Sequence, residues 1–232
     1  MEKQNIDGIF VLNKPAGISS NSAVNKVKYM LNAKKAGHYG TLDPLGMGVL
    51  PVALGKATKL FDLFLKKTKE YKTVYKFGEE TTTLDTEGEV TNKNDVIVTK
   101  KMIEDILPKF VGKIEQIPPA FSAKKIGGHK AYELARKGIK VQLPPKLIEI
   151  FSIKLISQIA ENVFELIINC SSGTYIRSLA RDIAYAIGTY GTMQSIVRTR
   201  CGVLCLKDAY TFEDIENGTY KIISYEQAEK LL

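Results

Sequence analysis

Cysteine is scarce in this 232-residue chain, and the three present, Cys170, Cys201 and Cys205, are an odd number. A disulfide framework is therefore excluded as the main source of stability, and reduced thiols with a cytoplasmic location are expected. Long hydrophobic runs are lacking as well. Gly8 to Leu12 is a short apolar stretch ended by Lys14 and Pro15, unlike a signal peptide, and no later stretch could span a bilayer. Only two histidines occur, His38 and His129, and neither is closely paired with another metal ligand. Cys201 and Cys205 make half of a zinc site at most, so no metal is expected. Repeats and low-complexity tracts are missing too, which excludes solenoid architectures.

Arginine is the scarcity that carries information. Only five of the 33 basic residues are arginine, and four of them, Arg177, Arg181, Arg198 and Arg200, fall close together. A planar fork can donate two parallel hydrogen bonds to a carboxylate or phosphate, which lysine cannot, so the cluster points to oriented anion contacts. The net charge of +8 is also uneven: residues 1–76 hold 13 Lys/Arg against 5 Asp/Glu, whereas residues 77–232 hold 20 of each. A second basic stretch, Pro118 to Lys146, carries Lys124, Lys125, Lys130, Arg136, Lys137, Lys140 and Lys146 against the single acid Glu133. Both regions suit a polyanion, although solvated lysine faces are common in any basic protein.

With 44% hydrophobic residues the chain can bury a full core. Gly8 to Asn13 reads as a strand ended by the Lys14-Pro15-Ala16-Gly17 turn, followed by a helix with N-caps at Ser20 to Ser22 and apolar residues Val24, Val27 and Leu31. Five glycines between residues 37 and 56 predict an ordered loop rather than a long regular element. Tyr71 to Phe77 alternates as a strand does. Thr99 caps a predicted helix with Met102, Ile103, Ile106, Leu107 and Phe110 on one face. Residues 147–158 and 163–170 predict a hairpin turning at Ala160-Glu161-Asn162. Ser171 or Ser172 precedes a helix that Gly188 stops, with Arg177 and Arg181 on one face. Thr211 to Asn217 shows a Thr-x-x-Asp capping box, and Tyr225 to Leu232 predicts a terminal helix. Irregular alternation of strands and helices gives the class α+β.

The most informative segment is Gly37-His38-Tyr39-Gly40-Thr41-Leu42-Asp43-Pro44-Leu45-Gly46-Met47-Gly48-Val49-Leu50-Pro51. On the Asp-Pro dipeptide alone, Asp43 reads as an Asx-turn residue. A phosphate-cradling reading fails on spacing, because six residues separate Gly48 from Gly55 and Ala57 follows Lys56, where a Walker A loop has four and a Ser or Thr. The whole segment closely resembles the active-site signature of the TruB-type pseudouridine synthases. Asn13 to Gly17, Lys69-Glu70-Tyr71, Ile117 to Gly138 and Gly173-Thr174-Tyr175-Ile176-Arg177 resemble further motifs of that family, in the same order.

The resemblance implies a pseudouridine synthase fold with a mixed, mostly antiparallel central sheet flanked by helices. It implies a catalytic domain over residues 1–210 with an RNA-clasping insertion at about 118–146. Residues 211–232 form a short helical extension, with no full PUA-type domain expected after it. The implied reaction isomerises a uridine in the tRNA T loop, position 55, without a cofactor. Asp43 is the implied catalytic carboxylate, Arg177 its partner in the family, and Tyr71 the aromatic that stacks on the base. His38, Tyr175 and Ile196 would shape the nucleotide pocket, and Lys14 would support the loop. Lys34, Lys35, Lys124, Lys125 and Lys130 are the expected phosphate contacts. The implied partner is the T arm of tRNA, with no membrane, no obligatory protein partner and a monomeric state expected. The resemblance is weakest at Tyr39, where the family commonly has Thr or Ser, at Val197, where a second arginine is usual, and at His129, where Arg or Lys often follows the glycines. Two competing readings stay open: a guide-RNA-dependent synthase that needs partner proteins, and a non-catalytic tRNA-binding or RNA-folding protein on the same scaffold.

Overall fold

The computed structural model describes residues 3–122, 124–139, 141 and 143–231. In chain order the first half holds β1 (Gly8–Lys14), α1 (Ser20–Met30), β2 (Ala36–His38), β3 (Met47–Leu54), α2 (Phe61–Leu65), β4 (Lys69–Phe77), β5 (Glu79–Thr81), β6 (Val90–Lys93), α3 (Lys100–Ile106) and β7 (Gly112–Gln116). The second half holds β8 (Lys125–Ile126), β9 (His129–Lys130), α4 (Ala131–Arg136), β10 (Lys146–Ala160), β11 (Val163–Cys170), α5 (Ile176–Ile187), β12 (Gly191–Cys201), β13 (Leu204–Cys205), α6 (Phe212–Glu216), β14 (Ile222–Ser224) and α7 (Tyr225–Lys230). The chain forms two compact units, residues 1–71 with 196–232 and residues 72–195. Residues 211–232 thus belong to the first unit, and the segment 118–146 to the second.

In the first unit the strands run in the order β14-β1-β3-β12, with β2 also on β3 and β13 also on β12. β1 and β3 pair antiparallel from Gly8 opposite Leu54 to Lys14 opposite Gly48, whereas β3 and β12 are parallel, so the sheet is mixed. Both faces of β1 and β3 are buried, which is why GIFVL and VLPVAL read as continuous apolar runs instead of alternating. One face packs Ile9, Val11, Val49 and Ala53 against Tyr39, Leu60, Phe64, Leu204 and Ala228. Tyr39 is therefore a core residue: its ring stacks on Phe64 at 4.6 Å and its hydroxyl donates to the Ala57 carbonyl.

The second unit orders its strands β4-β11-β10-β7. The predicted hairpin is present as β10 and β11, antiparallel with Asn162 at φ 56° in the turn. β11 alternates buried and half-buried residues along its length, the signature of one covered face. β8, β9 and α4 fall inside the 118–146 segment.

Several expectations need correction in detail. α1 is capped by Ser19, whose hydroxyl accepts from the Ser22 amide at 3.0 Å, and not by Ser20 to Ser22. The glycine-rich stretch is no continuous loop, because β3 begins inside it at Met47. Gly48 sits in that strand at φ 94°, and a Cβ there would lie 2.4 Å from the Arg198 carbonyl oxygen, so glycine permits the strands to close up. The Thr99-capped helix α3 ends at Ile106, and Leu107 to Phe110 continue as a 3-10 turn because Pro108 cannot donate to an α-helical ladder. Thr211 and Asp214 form the capping box at α6 as read from the sequence.

Candidate active site

Asp43 sits half-buried in the short crossing from β2 to β3, and nearly every backbone group around it is tied down. Before it, the Leu42 amide donates to the Ser20 hydroxyl and that hydroxyl donates to the Leu42 carbonyl, both at 2.8 Å. After it, the Pro44 carbonyl accepts from the Gly17 amide at 2.9 Å and from the Lys14 ammonium at 3.2 Å. The Gly46 amide donates to the carbonyl of Asp43 itself at 2.9 Å, closing a turn. Lys14 is fully buried and also donates to the Pro15 and Ile18 carbonyls at 2.8 and 2.7 Å. A cation placed on main-chain oxygens fixes the loop on either side of the aspartate.

A second buried cation grips the ends of the same loop. Arg198 on β12 donates through Nε to the Val49 carbonyl at 2.7 Å, through Nη2 to the Gly40 carbonyl at 3.0 Å and through Nη1 to the Thr41 carbonyl at 3.5 Å. Among the described residues no carboxylate pairs with it. His38 lies in the field of this guanidinium. Burial first, and the Arg198 charge second, hold the imidazole below its ordinary pKa of 6.5, so the ring is neutral at pH 7. Its Nε2 is 3.3 Å from Asn21 Oδ1, which makes Nε2 the protonated nitrogen when that bond forms. Nδ1 is then a bare acceptor, and it is buried with no partner among the described residues.

Tyr71, on β4 in the same unit, is largely buried, and Ile196 on β12 is buried as well. Lys34 and Lys35 are exposed beside β2, as phosphate contacts need to be. In the second unit, Arg177 opens α5 and is 6% exposed. Its Nη1 donates to the Thr83 carbonyl at 2.8 Å and lies 3.4 Å from Asp85 Oδ2, and its Nη2 donates to the Phe121 carbonyl at 3.0 Å. Asp85 is buried too, and its Oδ1 accepts from the Thr83 hydroxyl and the Glu87 amide. The start of α5 is fixed by Gln116, which accepts from the Tyr175 amide and donates to the Tyr175 carbonyl, and by Tyr75, whose hydroxyl donates to the Ile176 carbonyl. Arg181, one turn on, reaches the Ile117 carbonyl at 3.0 Å, so the two arginines share one helix face, as their spacing predicted, and that face meets residues 117–121. Lys124 is half-exposed, whereas the side chains of Lys125 and Lys130 lie outside the described residues. Among the described residues no three His, Cys, Asp or Glu side chains converge as a metal centre requires, and no helix is long and apolar enough to cross a membrane.

The family whose pattern matches the chain is the one described as TruB family pseudouridylate synthase (N terminal domain), over residues 28–176. The chain belongs to the TruB family. It is 42% identical over 216 residues to tRNA pseudouridine synthase B of Caulobacter vibrioides, covering 93% of this chain and 70% of that protein. It is 44% identical over 212 residues to the protein of the same name from Gluconobacter oxydans, covering 91% of this chain and 64% of that protein. Among solved structures, a chain of a Cbf5-Nop10-Gar1 complex superposes with a TM-score of 0.71 at 30% identity, covering 90% of this chain and 54% of that one. The chain thus spans about half the length of that solved relative.

Sequence reasoning named the TruB motifs but missed the residues that hold them. Ser20 was read as a cap and binds Leu42 instead. Arg198 counted only as one of a cluster, because its carbonyl partners Gly40, Thr41 and Val49 lie some 150 residues away in sequence. Asp85 and Gln116 carried no local signal, because their partners are distant in sequence.

Proposed function

We propose that this TruB-family protein isomerises a uridine to pseudouridine in the T loop of tRNA, at position 55, with Asp43 as the catalytic carboxylate. The supporting observation is the loop itself: a half-exposed aspartate whose flanking residues are bonded to Lys14, Ser20 and Gly17 is held ready for a reactant. A fixed carboxylate can attack carbon, abstract a proton or stabilise positive charge developing at the ribose C1′. The reaction breaks N1–C1′, turns the uracil, forms C5–C1′ and leaves the C5 proton to be moved to N1. Atoms balance without redox change, so no cofactor is called on.

The target base must leave its stack to reach Asp43, at a cost of a few kcal/mol that RNA contacts must offset. Tyr71 would stack on the everted uracil and assist removal of the C5 proton. His38, Tyr175 and Ile196 would shape the pocket. Arg177 would supply positive charge to the reacting centre, oriented by Asp85. Lys34, Lys35, Lys124, Lys125 and Lys130 would meet phosphates. A cytoplasmic monomer acting without a protein partner completes the reading. Incubating the purified protein with unmodified tRNA transcript and mapping pseudouridine by carbodiimide adducts and primer extension tests it. A single new pseudouridine in the T loop is the expected result, and transcript left unmodified would refute it. Binding without modification would favour the RNA-folding alternative.

A further inference from the structure

The Asp43 loop is closed at its base by one side chain from a distant part of the sequence. Gly40 and Thr41 precede the aspartate and Val49 follows it, and all three carbonyls accept from the guanidinium of Arg198. We propose that Arg198 is a positioning residue for Asp43, a clamp that joins the two ends of the loop and so sets where the carboxylate projects. The proposal deepens the functional reading above and rests on it.

Three observations support the clamp. Arg198 is 1% exposed, so its charge was taken out of water at a cost of several kcal/mol, yet its partners are carbonyl dipoles. That cost is explained if the geometry of the fork is what is needed: Nε donates on one side of the loop and Nη2 on the other, in the fixed planar arrangement that lysine lacks. Second, backbone and side chain grip the same place. Arg198 is the residue opposite Gly48 in the parallel pairing of β12 with β3, and only a glycine there lets the two main chains approach. Third, the clamp complements the other ties. Ser20 and Lys14 hold Leu42 and Pro44, the immediate neighbours of Asp43, and Arg198 holds the ends. Remove it, and the inner ties remain while the loop can pivot about them. A shift of about 1 Å in a reacting group costs on the order of 100-fold in rate.

A residue that merely glues the core would lower stability and leave the turnover of the folded protein alone. The test is Arg198→Lys, with pseudouridine formation in tRNA transcript measured at saturating and limiting substrate, tRNA affinity by filter binding, and folding by circular dichroism. The expected result is a folded protein whose kcat falls roughly 100-fold while tRNA affinity stays within about threefold of the parent. A folded Arg198→Lys protein with kcat within about threefold of the parent overturns the proposal, and so does a rate loss matched by an equal loss of affinity. Should Arg198→Lys not fold, Arg198→Ala is assayed with millimolar guanidinium chloride, and with urea as the uncharged control. Recovery of kcat by guanidinium alone supports the clamp, no recovery overturns it, and failure of both variants to fold makes Arg198 a purely structural residue. A parent protein that modifies no transcript sinks the functional reading instead, and this inference with it.

Discussion

Two buried arginines, one in each compact unit, solve the same electrostatic problem differently. Arg198 is satisfied by main-chain carbonyls of one loop, whereas Arg177 has two carbonyls and the buried carboxylate of Asp85. A charge held by dipoles can be placed wherever a loop offers oxygens, and it leaves nearby ligands facing an uncompensated cation. A charge held by a carboxylate is neutralised on one edge and oriented, at the cost of a pair that must stay intact. The first arrangement suits a clamp on backbone. The second suits a guanidinium whose direction matters for chemistry.

The comparison is sharpened most by Asp43→Asn. If the ties around residue 43 exist to present a carboxylate, the substitution should lower pseudouridine formation by at least about 1,000-fold, the upper range for a positioned acid–base group. Affinity for tRNA should hardly change, because Asn keeps the shape and the main-chain carbonyl that accepts from Gly46. Next in size is Asp85→Ala, which takes the buried carboxylate away from the Arg177 guanidinium. Breaking a buried pair costs about 3 kcal/mol or more, so thermal melting should fall by roughly 6 to 12 °C for a chain of this length. Asp85→Asn, which preserves an acceptor for Thr83 and Glu87, should recover part of that loss. An Asp85→Ala protein as stable as the parent would erase the distinction between the two arginines.

Surface lysines extend the contrast from buried to solvated charge. Lys34→Ala and Lys35→Ala should each reduce the slope of log affinity for tRNA against log salt by about one unit while leaving kcat alone. Affinity independent of salt would remove both residues from the RNA contacts.

Much of this was legible in the sequence, and the reason is local. β1, β4, the β10–β11 hairpin and the capping box of α6 follow from patterns within a dozen residues, which periodicity and turn chemistry report directly. Asp43, Tyr71 and Arg177 were singled out as candidates because the surrounding motifs are contiguous. β3 was lost because Gly46 and Gly48 read as loop formers, whereas Gly48 serves close strand packing against Arg198. The ties of the site escaped because each joins residues far apart: Ser20 to Leu42, Gln116 to Tyr175, Arg177 to Asp85, Arg198 to Val49. Tyr39, a departure from the family pattern in the heart of the signature, is explained by the core it fills and not by RNA.

The smallest expected effect concerns acid. His38 sits beside the uncompensated Arg198, and burial together with that charge depresses its pKa below 6.5. Between the folded value and 6.5 the unfolded chain binds more protons, so stability rises with pH through that window. The contribution is intact above pH 6.5 and is lost as pH falls through the folded value. His38→Gln removes the titration while keeping a polar side chain of similar reach. The difference in melting temperature between parent and variant should therefore be constant above pH 7 and shift in favour of the variant as the pH is lowered toward 5. Carboxylates common to both proteins cancel in that difference, including Asp182, whose pKa burial pushes up against the pull of Arg181. A difference that does not change with pH would mean that neither burial nor the Arg198 charge lowers the pKa of the imidazole in the folded protein.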